Sequence, residues 1–370
     1  MNDVLYDVWF SVVLFNRQDI FNCLIEKYGN AKQAFERFTD EDLLNLSDKQ
    51  KDNMKRRELK QAEKIVLRCE KENVEIITQN SGMYPKLLKY TDMPPAVLYA
   101  KGNLDLLKAP KVTVIGSREH DKEGTENAIW FSRELMGAGI QVVAGFAEGI
   151  EANVNKTALS SIVILPCGIN YTYPAKHFRL RNSIMQNGGL FLTEYPFGTN
   201  AYKENFLFRN RLLAGISDAT VFIQCGAKSG TSHTFNWDAL YGRDAFVIPG
   251  SIYNKYYQNS NRYIKEGGIL VTSPSEVIAY FYAKYPYLVK KEMPSFPNEE
   301  QIFTIDNSLL ENFSEDEKKI VKALSQKTLH IDDIVKEVNI SIADLSVYLV
   351  NLELFGIVEK CEGNRYKIKR

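Results

Sequence analysis

Short amphipathic helices are predicted along the first 75 residues of the chain. Apolar residues recur there at the three- and four-residue spacing that places them on one face of a helix. The segments are 8–15, 20–28, 31–38, 40–46 and 48–69. Gly29 with Asn30, and Thr39 with Asp40, interrupt this pattern with residues that suit helix caps. The pattern predicts a small helical domain over residues 1–75.

Continuous apolar runs begin at Lys111 and alternate with helical stretches. This alternation is typical of a parallel sheet with crossover helices. The predicted strands are 112–116, 140–145, 161–168, 190–195, 219–226 and 244–250. Upstream, residues 76–110 carry two short strands separated by proline turns, and they lead into this sheet. We therefore predict an α/β fold with an extended Rossmann-like parallel sheet over residues 76–283, whose ligand lies at the carboxyl ends of the strands.

A linker and a second small domain are predicted after the sheet. Residues 284–313 are rich in proline and charge and predict the linker, whereas Ser314 and Glu317 have the spacing of a capping box. Helices over 314–324, 331–338 and 342–354 and a final hairpin complete the pattern of a winged helix over residues 314–370. Because the third helix has no lysine or arginine, it suits the phosphate-lined major groove poorly. We expect this domain to serve protein contacts or autoregulation more than duplex recognition.

Composition narrows the class of protein. The 46 lysines and arginines balance 46 aspartates and glutamates, so any polyanion must be bound by locally placed charge. The five cysteines form no CxxC or Cys/His cluster and predict neither disulfides nor zinc. No apolar run reaches the roughly 18 residues that span a bilayer, and the first residues lack a secretory signal. We expect a cytoplasmic protein without a membrane partner.

Four glycine-containing turns follow predicted strands. They are GSRE at 116–119, AGFAEGIE at 144–151, PCG at 166–168 and CGAKSGTSHT at 225–234. Small residues there allow backbone N–H groups and helix N-termini to face an anion. One such turn is equally typical of a tight strand-to-helix connection, but four in one sheet favour a phosphate-bearing ligand. The expected ligand-binding residues of these turns and of the nearby YP segment are Gly116, Ser117, Arg118, Lys176, Lys228, Ser229, Gly230 and Thr231.

A second group of candidates lies in the segment KENFLFRNRLLAGIS at 203–217. It consists of Lys203, Phe206, Arg209, Asn210 and Arg211. A base stacked on an aromatic ring, with cations on the neighbouring phosphates, is a common way to bind single strands without reading sequence. Phe206 is the better stacking candidate and Phe208 the better core candidate, although both would also suit the core at the start of a helix.

Several catalytic classes lack their motifs. The chain has no GxxxxGK[ST] loop, no GxGxxG after a strand and no GxSxG elbow, and its four histidines are not spaced as metal ligands. We therefore expect no catalytic residue, no metal and no cofactor.

Six blocks in order resemble the DprA/Smf family of DNA-processing proteins. They are VTVIGSR, AGFAEGIEANVNKTAL, ILPCGINYTYP, FLFRNRLLAGIS, AKSGTSHT and GRDAFVIPG, and the resemblance covers about residues 80–285. It implies a sterile-alpha-motif-like (SAM-like) N-terminal domain, the Rossmann-like core and a C-terminal winged helix. It also implies a homodimer that binds and protects incoming single-stranded DNA and loads the RecA recombinase in natural transformation. The binding residues that the resemblance implies are the candidates named above other than Asn210 and Thr231.

Three departures from the family pattern leave other functions open. Glu148 stands where the family has arginine, Asn155 where it has histidine and Glu151 where it has aspartate. A carboxylate at a phosphate turn would repel DNA. A relative of the LOG phosphoribohydrolases is one alternative, although their catalytic glutamate is missing and Asp238 is the nearest downstream carboxylate. A nucleotide-binding sensor, for instance in phage defence, is another.

Overall fold

The computed structural model describes residues 2–286, 314–324, 328–354, 357–361 and 363–368. The chain divides into two compact units, Met1–Lys291 and Glu292–Arg370. Of the linker predicted at 284–313, residues 287–313 lie outside the described part. Within the described ranges, no helix is both long and apolar enough to cross a membrane.

Helices form the first part of unit one, as the sequence predicted. They are α1 (Asn2–Val13), α2 (Gln18–Tyr28), α3 (Ala31–Arg37), a 3-10 turn (Asp40–Leu43), α4 (Asp48–Arg56) and α5 (Lys60–Glu72). The predicted break before α3 is confirmed, since Gly29 has a φ of 93° and the Asn30 side chain accepts a hydrogen bond from Gln33 N at 2.9 Å. Trp9 and Phe10 belong to an apolar core that continues to Phe191 of the sheet. The N-terminal helices therefore pack directly on the sheet.

One sheet joins nine strands of the described residues. They are β1 (Glu75–Thr78), β2 (Val97–Gly102), β3 (Lys111–Ile115), β4 (Gln141–Ala144), β5 (Ile162–Ile164), β6 (Leu190–Thr193), β7 (Ala219–Phe222), β8 (Asp244–Val247) and β9 (Ile269–Leu270). Their order is β1-β2-β6-β5-β4-β3-β7-β8-β9, with β1 and β2 antiparallel at one edge and parallel pairing from β6 to β9. The six predicted core strands are confirmed. Five of them are shorter than their apolar runs because the last residues of each run form the turn, whereas β3 has the predicted length and lies one residue earlier.

Helices cover both faces of this sheet, which explains why its central strands are buried along their whole length and mostly apolar. They are α6 (Lys86–Lys89), α7 (Lys122–Gly137), α8 (Ile150–Thr157), α9 (Phe178–Gln186), α10 (Lys203–Ile216), α11 (Thr231–Tyr241), α12 (Gln258–Lys265) and α13 (Pro274–Lys284). One apolar core contains residues of α7, α8 and α13, and another contains residues of α10, α11 and α12. The strand order runs outward in both directions from β3 and β7, which creates a topological switch point between them.

The second unit has the winged-helix architecture that the sequence predicted. Its elements are α14 (Glu315–Leu324), β10 (Leu329–His330), α15 (Ile331–Val338), α16 (Ile342–Leu354), β11 (Val358–Cys361) and β12 (Arg365–Ile368). The three strands form an antiparallel sheet in the order β10-β12-β11. The predicted capping box is present, since Ser314 N donates to Glu317 Oε2 at 2.8 Å and Glu317 N donates to Ser314 Oγ at 3.3 Å.

Candidate nucleic-acid interface

Two loops meet at the switch point and are joined by hydrogen bonds through Ser117. Ser117 N donates to Gln224 O at 2.8 Å, and Gly226 N donates to Ser117 Oγ at 2.9 Å. Ile150 N, at the start of α8, donates to Ser117 O at 3.1 Å. The turns that follow β3, β4 and β7 are therefore held together at one point, and the buried hydroxyl of Ser117 is part of that frame.

Glycine is required where these turns approach one another. Gly149 has a φ of 81°, and a Cβ built on it would lie 2.4 Å from the carbonyl oxygens of Ser117 and Arg118. A Cβ on Gly145 would lie 2.3 Å from both Arg209 Nη1 and Glu151 Oε2. A side chain on Gly149 would separate the turns, because positive φ and backbone contacts this close leave no room for one, and a side chain on Gly145 would displace Arg209 and Glu151.

A cavity of about 930 Å³ opens along this edge of the sheet. Eleven of the thirteen predicted residues line it, namely Gly116, Ser117, Arg118, Lys203, Phe206, Arg209, Asn210, Lys228, Ser229, Gly230 and Thr231. The remaining two, Lys176 and Arg211, do not. The structure thus brings together residues that are more than 100 positions apart in the chain, although their contact with DNA stays a prediction.

Phe206 presents its ring at the cavity from the first turns of α10. The guanidinium carbon of Arg118 lies 5.1 Å from the ring centroid, and Tyr173 meets the ring edge-on at 5.5 Å. Phe208 differs, since it does not line the cavity and packs against the guanidinium of Arg211 at 4.2 Å. Of the two phenylalanines, Phe206 is therefore the one that can offer a ring to a ligand.

Arg209 lies at the floor of the cavity and is 2 % exposed. Its Nη1 donates to Ile164 O at the end of β5 at 2.6 Å, and its Nη2 lies 3.8 Å from Glu151 Oε1. Glu151 is itself fixed, since Oε2 accepts from Ala147 N at 2.8 Å. The carboxylate therefore compensates the buried guanidinium.

Four exposed cations surround the mouth of the cavity: Arg118, Lys203, Lys228 and Lys255. Among the described residues, none of them has a carboxylate within ion-pair distance. Glu119 is the acidic residue of the mouth, and Glu151 is engaged on the floor. The local charge is therefore positive although the whole chain carries none. Sequence analysis missed Lys255; the signal available was its position after the glycine turn that ends the run at 244–250.

Polar side chains shape the loop that precedes α11. Thr231 donates from N and from Oγ1 to Ser229 Oγ, at 3.3 and 3.0 Å, and Asn210 Nδ2 donates to Gly230 O at 3.3 Å. These contacts hold the N-terminus of α11 at the cavity, where the helix dipole favours an anion.

Lys176 stands outside the cavity in an ion pair with Glu148, with 2.8 Å between Nζ and Oε1. The hydrogen bond from Lys176 is the main reason why the pKa of Glu148 lies below its ordinary value. The carboxylate that was expected to repel DNA is therefore neutralised by a lysine that was expected to bind DNA. Asn155 is buried instead of facing a ligand, since its Nδ2 donates to Gly145 O at 2.7 Å.

Arg211 is a structural residue in this fold. It is fully buried, forms an ion pair with Glu194 and donates from Nη1 to Met93 O at 2.8 Å. Its side chain has no path to the cavity, because it is held on the other side of α10 from Arg209. We therefore leave Arg211 out of the proposed DNA contacts.

Comparison with known proteins assigns the chain to a family. The model of the family DNA recombination-mediator protein A matches residues 75–282, and that of the DprA winged helix domain matches residues 308–364. Protein Smf of Escherichia coli (strain K12) is 27% identical over 307 residues, which cover 81% of this chain and 79% of that protein. DNA processing protein DprA of Streptococcus pneumoniae (strain ATCC BAA-255 / R6) is 36% identical over 202 residues, or 54% of this chain and 71% of that protein.

Two solved structures are similar to this one. The X-ray structure of DNA processing protein A from Streptococcus pneumoniae has a TM-score of 0.66 and 27% identity, and the match covers 74% of this chain and 97% of that one. A DNA processing protein A from Helicobacter pylori, described for its single-stranded DNA binding mode, has a TM-score of 0.52 and 27% identity over 57% of this chain and 97% of that one. The fold, the arrangement of the turns at the switch point and the sequence agree. This chain belongs to the DprA/Smf family, whose core is that of DNA recombination-mediator protein A.

Proposed function

We propose that this chain binds single-stranded DNA in the cavity at the β3–β7 switch point and acts as a non-catalytic recombination mediator. The observation that carries the proposal is the pair formed by Arg118 and Phe206, a guanidinium 5.1 Å from an aromatic ring, at the mouth of a cavity with unpaired lysines. A cation beside a stacking surface fits a phosphate followed by its base.

Single strands suit this site better than duplexes. A ring such as Phe206 can stack only on a base that has left its neighbours, whereas duplex bases are stacked on one another. The remaining contacts come from lysines, an arginine and backbone amides, which recognise phosphates without reading sequence. We therefore expect binding with little base preference.

The phosphoribohydrolase alternative would need a carboxylate at the cavity, and its candidate Asp238 lies elsewhere. Asp238 belongs to α11 and is fully buried; it accepts a hydrogen bond from Thr220 Oγ1 of β7 at 2.9 Å and does not line the cavity. Burial raises its pKa well above the ordinary value of a carboxyl. No described contact favours a small nucleotide over a strand, and affinity that grows with oligonucleotide length will distinguish the two.

RecA loading, protection of the incoming strand in natural transformation and homodimerisation in the cytoplasm are proposals that rest on family membership. The test of the first is the rate of RecA filament nucleation on single-stranded DNA with and without this protein. Sedimentation of the purified chain at several concentrations tests the dimer.

Arg118→Ala is expected to weaken binding to labelled oligo-dT about tenfold, because it removes a charge-assisted contact and the cation beside Phe206. Fluorescence anisotropy measures the affinity of the intact chain and the variant. Lys64→Ala, an exposed lysine on α5 that does not line the cavity, is the matched control and is expected to bind like the intact chain. Absence of binding by the intact chain would contradict the proposal and favour the nucleotide sensor.

The winged helix is proposed to contact protein instead of duplex DNA. Ile342, Val347 and Val350 of α16 are each more than half exposed, and this helix contains no lysine or arginine. An exposed apolar face without cations suits a protein surface better than a phosphate-lined groove.

Deletion of residues 314–370 is therefore expected to leave duplex binding, measured by gel shift, within about twofold of the intact chain, because no phosphate contact is lost. A deletion that abolishes duplex binding would show that this domain reads DNA after all.

A further inference from the structure

The cavity extends beyond Phe206 and Tyr173 and is also lined by an aromatic residue of the loop that follows β8. The Phe206 side lies by β5, because its neighbour Arg209 donates to Ile164 O. A second group of lining residues, Lys255 and Tyr256, follows β8. The backbone of this second group lies against the turn after β7, since a Cβ on Gly226 would lie 3.5 Å from Lys255 O and 3.8 Å from Tyr256 Cα.

Tyr256 is held in place by a network that does not involve its ring. Asn254 Nδ2 donates to Asp121 Oδ2 at 2.8 Å, and Asn254 Oδ1 accepts from Tyr256 N at 3.0 Å. Asn259 fastens the next turn, since its side chain donates to Gly226 O at 2.9 Å. The loop is thus rigid at its backbone, and the Tyr256 hydroxyl makes no hydrogen bond to any described residue.

The pairing of cation and ring in this second group repeats the one at Phe206. Lys255 Nζ lies 4.9 Å from the centroid of the Tyr256 ring, and the lysine has no described ion-pair partner. Lys228 and the N-terminus of α11 line the same cavity and suit phosphates.

We propose that Tyr256 and Lys255 form a second base-stacking position, so that a bound single strand is held by two rings and by its phosphates. The inference rests on the proposed function. It goes beyond that function because it assigns base contacts to the β8 side of the site, where the sequence had indicated none. A ring on a fixed backbone is an effective stacking platform because the loop need not be ordered on binding.

The test separates base stacking from phosphate contact. The affinity of the full chain is measured for oligo-dT of about 12 nucleotides and for an abasic strand of the same length, which keeps the phosphates and lacks the bases. Tyr256→Ala is expected to weaken oligo-dT binding about tenfold and to leave abasic binding unchanged, as is Phe206→Ala. Tyr256→Phe, which keeps the ring, is expected to bind like the intact chain.

Tyr90→Ala is the matched control, since Tyr90 is 85% exposed and lies outside the cavity. Equal oligo-dT affinity of Tyr256→Ala and the intact chain would overturn the second stacking position. So would an equal loss on both strands, which would show that Tyr256 only shapes the loop. If Phe206→Ala alone loses affinity, the proposed function stands and this inference falls; if the intact chain binds neither strand, the proposed function itself fails.

Discussion

Glu194→Ala is expected to lower the free energy of unfolding by about 3–5 kcal/mol, because it leaves a buried guanidinium without its counter-charge. The partner is Arg211, which is fully buried and also donates to Met93 O. Water cannot replace the lost carboxylate in a site closed by α10 and the sheet. Urea unfolding followed by circular dichroism measures the effect.

Two variants show whether the effect comes from the unpaired charge. Glu266→Ala breaks the exposed Arg262–Glu266 pair and is expected to cost less than about 1 kcal/mol, as surface pairs do. Glu194→Leu combined with Arg211→Met removes both charges and is expected to recover most of the loss. A single-variant cost as small as that of Glu266→Ala would mean that the buried pair contributes nothing.

The sheet could be predicted from the sequence because its physical cause is local. Each central strand is buried on both faces, so its sequence is a mostly apolar run that ends in a turn. The antiparallel pairing of β2 with β6 could not be predicted, since a hydrophobic run carries no information on its neighbour. The location of the site could be predicted from the glycine-containing turns, because the carboxyl ends of parallel strands meet at one edge of the sheet.

Individual roles within the site could not be assigned so well. Arg209 and Arg211 are both cations of one RNR segment. Because they are two residues apart on a helix, their side chains point about 200° apart around its axis. Arg209 therefore faces the cavity and Arg211 the interior. Arg211 lies on α10, whereas its partner Glu194 directly follows β6, and no local sequence pattern connects the two residues. The ion pair of Lys176 with Glu148 could not be predicted for the same reason, since it exists only in the folded chain; the contact of Lys176 with DNA stays a prediction.

Replacement of all four exposed cations of the cavity mouth by alanine is expected to weaken oligo-dT binding at least about 100-fold at 50 mM salt, because most of the affinity comes from counterion release. The residues are Arg118, Lys203, Lys228 and Lys255. Four phosphate contacts predict a slope of log K against log salt of about −3 for the intact chain, and the slope of the variant is expected to approach zero. Anisotropy titrations at several salt concentrations measure both quantities.

Net charge alone could weaken binding to a polyanion, so the control must change charge equally at another place. Alanine at Lys49, Lys60, Lys64 and Lys71 does this, since these exposed lysines lie on α4 and α5 and none of them lines the cavity. Both quadruple variants carry the same net charge. If charge placement decides binding in this neutral chain, only the cavity variant loses its salt dependence. Equal losses in the two variants would mean that binding depends on the net charge of the whole molecule and that the cavity is not the binding site.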